Sequence, residues 1–268
     1  MDGVRNMTDH IIMLSGGLCS FFAAHRVLEQ QDRRKVTLLF ADTLSEHPDL
    51  YRFLDDAEKV LEHPVTRISH GMGLWELFNQ QGMIANTQAD LCSRIMKRDL
   101  CDKWVKSNCA PKPTLHFGFD WSEASRLEGV RRAKPWATCE APMLEPPYLW
   151  KHNMPGAARE MGIEPSSTYA DGFEHDNCGG FCVKAGQAHF ARLLHNRREV
   201  YLYHEQEEQS FRDRTGKDVA VLRDRRGGKT KPLTLLAFRQ RIEGGGLFDE
   251  DDIGGCNCFA PPETEGAT

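Results

Sequence analysis

Short apolar runs alternate along this chain with longer segments in which apolar residues recur at helical spacing. The runs end in polar or glycine residues, which is typical of strands that are buried on both faces. Strands that alternate with amphipathic helices favour an α/β fold, with a Rossmann-like parallel sheet and helices on both faces. Strands are predicted at 10–14, 35–43, 65–68, 114–120, 141–144 and 219–222, and helices at 21–29, 49–61, 146–162, 188–194 and 233–242.

The first predicted strand ends abruptly in Ser15, Gly16 and Gly17, and helix-forming residues follow. A strand, a glycine turn and a helix in this order place free backbone N–H groups and a positive helix end around an anion. Glycines leave room for a phosphate, and Ser15 and Ser20 can each donate a hydroxyl hydrogen bond to it. The sequence predicts a phosphate-binding loop that is neither a Walker P-loop nor a dinucleotide fingerprint. A tight turn that needs glycines for its own backbone is the alternative.

Asp42 closes the second predicted strand. Because ligands of open α/β sheets bind outside the carboxyl ends of the strands, we expect Asp42 to lie beside the glycine loop. A carboxylate there can accept a hydrogen bond from a ribose hydroxyl or an adenine amino group. Capping of the turn before Glu46 is an equally good interpretation of the same residue.

The segment 91–104 combines thiols with cations. If it is helical, Arg94 and Lys97 lie one turn apart on the same face, with Cys101 four residues further on. Two cations on one face suit a second phosphate or sulfate group, although a solvated basic face is the simpler interpretation. Cys92 at the start of the helix is a candidate thiolate with a lowered pKa, or else a small buried apolar residue.

The predicted strand 114–120 again ends in a glycine and a carboxylate, Gly118 and Asp120. A helix follows, for which Asp120 or Ser122 is the predicted N-cap. Glu123 and Arg126, three residues apart, can pair on the surface for a few tenths of a kcal/mol. If they instead lie at the carboxyl edge of the sheet, Arg126 can reach the phosphates of a nucleotide.

Two cysteine pairs occur in glycine-rich loops of the last third of the chain, Cys178 with Cys182 and Cys256 with Cys258. Four thiolates satisfy the ligand count of a tetrahedral zinc ion or a [4Fe–4S] cluster. The spacings are not those of a zinc ribbon, and glycines let backbone N–H groups approach cluster sulfurs. A reversible dithiol formed by Cys178 and Cys182 stays open as an alternative, as do unligated thiols.

Composition and charge narrow the class of protein. The chain has 268 residues, 40% hydrophobic and 27% charged, which predicts one sizeable fold with a core domain at 1–170 and an extension at 171–268. The net charge of −5 gives no general attraction to nucleic acid, although five cations at 223–231 form a local basic tip. A solvated surface loop is the simpler interpretation of that tip. We also predict that the tail 261–268 is disordered.

Residues 1–8 lack the apolar core of a signal peptide, and no apolar run approaches membrane-spanning length. We therefore expect a cytoplasmic protein that does not bind membranes. In a reducing compartment, nine cysteines indicate metal or redox chemistry rather than disulfides.

Three of these motifs resemble those of one family. Ser15-Gly16-Gly17-x-x-Ser20 is similar to the S-G-G-x-x-S loop of the PP-loop ATP pyrophosphatase superfamily, which includes phosphoadenosine phosphosulfate (PAPS) reductases, tRNA thiolation enzymes and 7-cyano-7-deazaguanine synthetases. The run from Cys92 to Lys97, with a tryptophan further on, resembles a PAPS reductase-like segment. Gly118, Glu123 and Arg126 match the G-x-x-x-x-E-x-x-R signature of the same relatives.

The resemblance implies an adenine nucleotide alpha hydrolase-like sheet and an enzyme that adenylates a substrate with release of pyrophosphate. ATP with Mg²⁺ would be the nucleotide, and a nucleophile, for example sulfur, would then attack a nucleic-acid or small-molecule acceptor. Several thiolating relatives hold an iron–sulfur cluster, which ranks [4Fe–4S] above zinc here. The residues that the resemblance implies for nucleotide binding are Ser15, Gly16, Gly17, Ser20, Asp42, Arg94, Gly118 and Glu123. The implied catalytic residues are Cys92, Lys97 and Arg126. The implied metal ligands are Cys178, Cys182, Cys256 and Cys258.

Two other functions stay open. A PAPS reductase would use the nucleotide as its substrate and release sulfite, but its Glu-Cys-Gly-Leu-His motif does not occur in this chain. A non-catalytic nucleotide or redox sensor is the third possibility, because many family members carry an aspartate where this chain has Cys19.

Overall fold

A five-stranded parallel sheet forms the centre of the molecule. The computed structural model describes residues 8–85, 90–173, 178–252, 254 and 258–259. The strand order is β3-β2-β1-β4-β5. Strands β2 and β3 are added on one side of β1, and β4 and β5 on its other side, so the order reverses between β1 and β4. Parallel sheets of this kind bind ligands at that point. The predicted α/β fold with a parallel sheet is confirmed. The strands are β1 (Thr8–Leu14), β2 (Val36–Asp42), β3 (Val65–Ser69), β4 (Cys109–Phe117) and β5 (Thr138–Glu140).

Helices cover both faces of the sheet. Ile12 and Leu14 of β1 pack on one face against α1, α2 and α6, whereas Ile11 and Met13 pack on the other face against α4 and α5. Burial on both faces explains why β1 is a continuous apolar run. The helices are α1 (Leu18–Gln30), α2 (Pro48–Leu61), α3 (Leu74–Gln81), a π-helix (Ser93–Arg98) that continues into α4 (Asp99–Asn108), α5 (Ala124–Ala133), α6 (Met154–Glu160), α7 (Ser167–Ala170), α8 (Gln187–Asn196), α9 (Arg198–Thr215) and α10 (Leu235–Glu243).

A third apolar core joins the last third of the chain to α3 and the π-helix. Phe181, Phe190 and Tyr201 are completely buried there, in one cluster with Phe78 and Met96. An antiparallel hairpin of β6 (Leu222–Asp224) and β7 (Lys231–Leu233) carries the basic tip. In the described part of the chain, no helix combines the length and the apolar character that crossing a membrane requires. The tail 261–268 lies outside the described residues.

Four predicted elements differ from the structure, and proline bears on two of them. The strand predicted at 114–120 is β4, Cys109–Phe117, so it begins earlier and ends before Gly118. The strand predicted at 141–144 is wrong: β5 lies at Thr138–Glu140, and Pro142–Leu144 is a 3₁₀ turn, because proline cannot continue a ladder of hydrogen bonds. The helix predicted at 146–162 begins only at Met154. The Pro146-Pro147 pair opposes a helix that runs through those residues, whereas Pro155 lies in the first turn of α6, where proline is tolerated. The strand predicted at 219–222 begins only at Leu222.

Gly118 lets the end of β4 approach the first turn of α1. A Cβ atom on Gly118 would lie 2.5 Å from both the backbone nitrogen and the Cα of Ser20. The φ angle of Gly118 is not in the left-handed region, so the close approach of two backbones, not a special conformation, requires glycine here. This contact places the N-terminus of α1 at the point between β1 and β4 where the strand order reverses.

We therefore expect Gly118→Ala to lower the free energy of unfolding by about 2 kcal/mol or more, because backbone atoms cannot yield to the added methyl group. Gly156→Ala is the matched control, since Gly156 lies in α6 with nothing within 4 Å of its Cβ position. That control should be neutral or stabilising by about 0.5–1 kcal/mol. Urea unfolding of both variants measures the difference, and equal stabilities would contradict the packing role of Gly118.

Candidate functional site

The glycine loop links β1 to α1 at the carboxyl edge of the sheet. Gly16 has a φ of +82°, and a Cβ atom there would lie 2.8 Å from Cγ of Leu50 in α2. Gly16 is therefore required both by its conformation and by packing. Gly17 has an ordinary φ of −90° and is the N-cap of α1, with no side chain to cap the helix.

Ser15 and Ser20 brace this loop. The Ser15 backbone N–H donates to Oγ of Ser20 at 3.1 Å, and that hydroxyl donates to the Gly17 carbonyl oxygen at 2.8 Å. The Ser15 hydroxyl also lies 3.1 Å from Oγ of Ser20. Ser20 is buried, and its hydroxyl ties Ser15 to the Gly17 carbonyl oxygen within the loop. Contact of either serine with a phosphate stays a prediction.

Tyr169 reaches this loop from α7, which the sequence analysis missed. The backbone N–H of Leu18, the first residue of α1, donates to the Tyr169 hydroxyl at 3.1 Å. The same hydroxyl would lie 3.2 Å from a Cβ atom on Gly17. No sequence signal connects a tyrosine in a short helix to a loop so distant along the chain.

Cys19 carries no charge in the first turn of α1 at neutral pH. Burial, followed by the nearby Asp120 carboxylate, raises the pKa of its thiol to about 12. The Cys19 side chain is therefore neutral at this position beside the loop. A neutral side chain next to the loop does not repel an anion.

Asp42 lies at the end of β2, as predicted, and its carboxylate has local partners. Oδ1 accepts the backbone N–H of Leu44 and the hydroxyl of Tyr51, each at 2.8 Å. Burial and the hydrogen bond to Asp42 raise the pKa of Tyr51. The turn-capping interpretation therefore describes what Oδ1 does in the structure, and a contact with adenosine stays a prediction.

Asp120 caps the helix that follows β4. Its Oδ1 accepts the backbone N–H of Ser122 at 2.8 Å, and the Glu123 carboxylate in turn accepts the Asp120 N–H at 3.3 Å. Glu123 also pairs with Arg126, whose guanidinium lies over the Phe119 ring at 4.8 Å from its centroid. Glu123 therefore forms the ion pair with Arg126 that their spacing allows. Both side chains follow closely on the carboxyl end of β4.

Arg94 and Lys97 do not share a face, which corrects the sequence analysis. Arg94 is exposed, whereas the side chain of Lys97 is only 4% exposed. The physical reason is that Ser93–Arg98 is a π-helix, whose wider turns change which residues are neighbours. Burial of Lys97 is compensated by a carboxylate, Glu46, at 3.3 Å.

Glu46 is a buried carboxylate that joins three segments. Oε1 accepts the Thr43 hydroxyl at 2.9 Å and faces Nζ of Lys97, while Oε2 accepts the backbone N–H of Cys178 at 2.5 Å. A charge removed from water needs such partners to be tolerated. The loop after β2, the π-helix and the Cys178 turn are held together by this one side chain.

Four cysteines from three separate segments line one small cavity next to Glu46. Thr43, directly after β2, lines the same cavity, and Phe259 contacts Phe117 at the carboxyl end of β4. The cavity therefore lies on the same sheet edge as the glycine loop. Its volume of about 20 Å³ is room for one water molecule. The four cysteines are Cys92, Cys178, Cys182 and Cys258; Cys256, a predicted ligand, lies outside the described residues.

Two thiols of this cavity, those of Cys92 and Cys178, have a raised pKa in the protein alone. Burial, followed by the neighbouring Cys258, raises the pKa of Cys92 to about 11, which favours a buried apolar residue over a thiolate, the two interpretations of Cys92 that the sequence left open. Burial and Glu46 also raise the pKa of Cys178 well above its usual value. Cys92, Cys178 and Cys258 lie close together, since all three line this small cavity.

Two lysines bring positive charge to the cysteine cavity. Lys97 and Lys184 both line it, and Lys184 pairs at 2.8 Å with the buried Asp90, which also pairs with Arg98. Across the described ranges, no three His, Cys, Asp or Glu side chains are placed so that they could hold a metal ion. The arrangement is a set of neighbouring thiols beside cations.

The basic tip of the hairpin is partly neutralised. Arg226 and Arg241 pair with Asp224 at 2.9 and 2.7 Å, and Arg225 lies 3.4 Å from Asp252. The simpler interpretation, a solvated loop with its own ion pairs, fits these contacts.

No family model matches the chain, and no curated protein matches its sequence. Among solved structures, the chain is similar to the crystal structure of phosphoadenylyl-sulfate (PAPS) reductase from Candida auris in its phosphate complex. The alignment covers 64% of this chain and 81% of that chain, with a TM-score of 0.47 and 14% sequence identity. The roles of the residues described above rest on contacts within this chain.

Proposed function

We propose that this chain is an ATP-dependent enzyme that adenylates a substrate with release of pyrophosphate and that holds a cysteine-ligated [4Fe–4S] cluster beside the nucleotide. One observation supports this most strongly: the glycine loop and the four-cysteine cavity lie on the same edge of the sheet. The segment 43–50 connects them, since Thr43 lines the cavity and Leu50 packs against Gly16. Sulfur-transfer chemistry requires such proximity of a nucleotide and a thiol-rich site.

The donors around the glycine loop fit the phosphates of a nucleotide. The loop lies where the strand order reverses, and the first N–H groups of α1 point out of the helix end. Gly17 adds no side chain at that end, where the Leu18 N–H donates to the Tyr169 hydroxyl, and the protonated Cys19 adds no opposing charge. Mg²⁺ would bind together with the triphosphate, and the Asp42 carboxylate would accept a hydrogen bond from the adenosine.

Adenylation forms a bond from an acceptor oxygen to the α-phosphorus of ATP and breaks the bond from that phosphorus to the bridging oxygen. Pyrophosphate takes the electron pair, so negative charge grows on the departing phosphates. Backbone N–H groups at Gly17 and Leu18, together with the α1 dipole, stabilise that charge. A second nucleophile, sulfur in a thiolation reaction, then displaces AMP from the acceptor.

The cysteine cavity offers the donor atoms of an iron–sulfur cluster, but its volume of about 20 Å³ admits only one water molecule, so binding of a cluster would require the lining segments to move apart. Four thiols satisfy the ligand count, with Cys92 taking the place that the sequence analysis gave to Cys256. Four thiolates on a [4Fe–4S] core leave net negative charge, which Lys97 and Lys184 would balance. When bound, the cluster would supply an electron-transfer or sulfur-binding centre. Zinc is the alternative, and it needs less room than a cluster.

The reduction of PAPS is a second candidate, favoured by the presence of thiols beside cations. A thiolate there would attack the sulfate sulfur and break the bond from that sulfur to the phosphate oxygen, so that adenosine 3′,5′-bisphosphate leaves with the electron pair. A thiol reductant would then attack the cysteine sulfur of the resulting S-sulfocysteine, form a disulfide and release sulfite. The missing Glu-Cys-Gly-Leu-His motif places this candidate second.

Binding of nucleotide is tested with Gly17→Val. Valine tolerates the φ of −90° at this position, but its side chain would block the end of α1. We expect calorimetry to show Mg²⁺–ATP affinity about 100-fold weaker or more, equivalent to the loss of two charge-assisted hydrogen bonds. Gly156→Ala should bind ATP like the wild type. Unchanged ATP affinity in folded Gly17→Val protein would contradict the proposed site, and rapid sulfite release from PAPS without ATP binding would favour the reductase.

The ligand set is tested by single cysteine replacements. Cys92→Ala, Cys182→Ala and Cys258→Ala should each remove most of the bound metal from anaerobically purified protein, because each removes one thiolate of a shared site. Cys139→Ala is the matched control, since Cys139 is buried in the core beneath α5 and should leave the metal content unchanged. Full metal content in Cys92→Ala, with loss in the other two variants, would remove Cys92 from the site.

A further inference from the structure

We propose that the cavity between α3 and α9 binds a small organic cation that also carries a carbonyl oxygen. The cavity is open to solvent and has a volume of about 510 Å³, the size of pockets that hold small molecules. Neither nucleotide nor metal takes part in this binding, which is separate from the adenylation proposed above. The lining includes Trp75 and Glu76 of α3, Tyr203, His204 and Glu207 of α9, and Leu44 of the loop after β2.

The charge that faces this cavity is negative. Glu76 and Glu207 both line it, whereas no lysine or arginine of the described chain does. Within the same part of the chain, neither of these two carboxylates is in an ion pair. Arg214 lies nearby, but it does not line the cavity, and its guanidinium donates to Oδ1 of Asn79 at 2.6 Å. Two carboxylates without a protein cation attract a positively charged ligand and repel a phosphate.

A buried hydrogen-bond donor also faces the cavity. His204 is only 6% exposed, and its Nδ1 accepts the indole N–H of Trp75 at 2.9 Å. Because an indole nitrogen can only donate, the neutral imidazole carries its proton on Nε2. Burial lowers the pKa of His204 to about 3, so the ring is neutral at pH 7.

The Nε2–H of His204 is available to a ligand. It has no acceptor among the residues that the structure describes, and Nε2 is not one of the unpartnered side-chain atoms that are sealed from solvent. Since His204 lines the cavity, this N–H opens on it. A carbonyl oxygen of the ligand would supply the acceptor that a largely buried donor needs.

Aromatic and apolar surface surrounds these polar groups. The exposed ring of Tyr203 lines the cavity four residues before Glu207 on α9, so the ring and the carboxylate are neighbours. An aromatic face beside a carboxylate favours an organic cation over a metal ion. Leu44 also lines the cavity and is exposed, and its φ of +55° is a rare, strained conformation for a leucine. Strained residues of this kind cluster at binding sites.

Hydrogen bonds and ring contacts fix the lining in place. The bond from Trp75 to His204 joins α3 to α9, and the His204 ring stacks on the buried Phe181 with the centroids 3.5 Å apart. The Leu74 N–H donates to the Ser45 hydroxyl at 3.3 Å, which joins α3 to the loop after β2. A ligand therefore enters a cavity whose walls already have their positions.

L-Argininamide is the probe, because it combines a guanidinium group with an amide carbonyl and has no carboxylate. Two relatives each lack one of these features: L-citrullinamide has an uncharged urea group instead of the guanidinium, and agmatine has no carbonyl. We expect L-citrullinamide to bind about tenfold more weakly, the loss of one charge-assisted hydrogen bond, and agmatine about threefold more weakly, the loss of a neutral one. Calorimetric titration of the full chain without nucleotide measures all three.

Replacement of each carboxylate tests where the probe binds. Glu76→Gln and Glu207→Gln keep the shape of the side chain and should each weaken L-argininamide binding about five- to tenfold. Glu199→Gln is the matched control, since Glu199 is exposed on α9 outside the cavity, and it should bind like the wild type. Thermal unfolding checks that all variants are folded.

The outcomes separate this site from the ATP site. Weaker binding by Glu76→Gln and Glu207→Gln, with Glu199→Gln unchanged, supports the cation site. Unchanged affinity in both cavity variants, or no binding of L-argininamide by the wild type up to about 10 mM, overturns it. Either failure leaves the ATP site standing, because the titration contains no nucleotide, and Gly17→Val should bind L-argininamide like the wild type.

Discussion

The buried Glu46 carboxylate is the interaction on which the arrangement of the site depends. Its partners are the Thr43 hydroxyl, the Lys97 ammonium group and the backbone N–H of Cys178, which belong to three separate segments. Breaking a buried ion pair typically costs about 3–5 kcal/mol, a large share of the about 5–15 kcal/mol that holds a domain together. The loop after β2, the π-helix and the Cys178 turn therefore adopt positions that satisfy one carboxylate.

Two close contacts, each at a glycine, extend this constraint to the rest of the sheet edge. A Cβ atom on Gly179 would lie 3.2 Å from the Ser45 carbonyl oxygen, so the Cys178 turn packs directly on the loop that carries Glu46. On the other side, Leu50 of α2 fills the space beside Gly16. One segment, 43–50, thus supports both the cysteine cavity and the glycine loop, and the positions of the two proposed sites are coupled through it.

The parts of the structure that depend on local pattern could be predicted from the sequence. The strands that carry the glycine loop and Asp42 are apolar runs closed by polar residues, and the parallel sheet follows from their alternation with helices. The parts that depend on contacts distant in sequence could not. Nothing in the spacing of Arg94 and Lys97 indicates a π-helix that buries one and exposes the other. The contact of Tyr169 with Leu18 and the place of Cys92 beside Cys178 arise only when separate segments pack together.

The central claim, that the cysteine cavity holds an iron–sulfur cluster, is tested most directly by metal and sulfide analysis of the wild-type protein purified without oxygen. The account predicts about four irons and about four acid-labile sulfides per chain, as a [4Fe–4S] cluster requires, with visible absorbance that bleaches on reduction. One zinc per chain with no sulfide, or thiols that react fully with no metal bound, would contradict it.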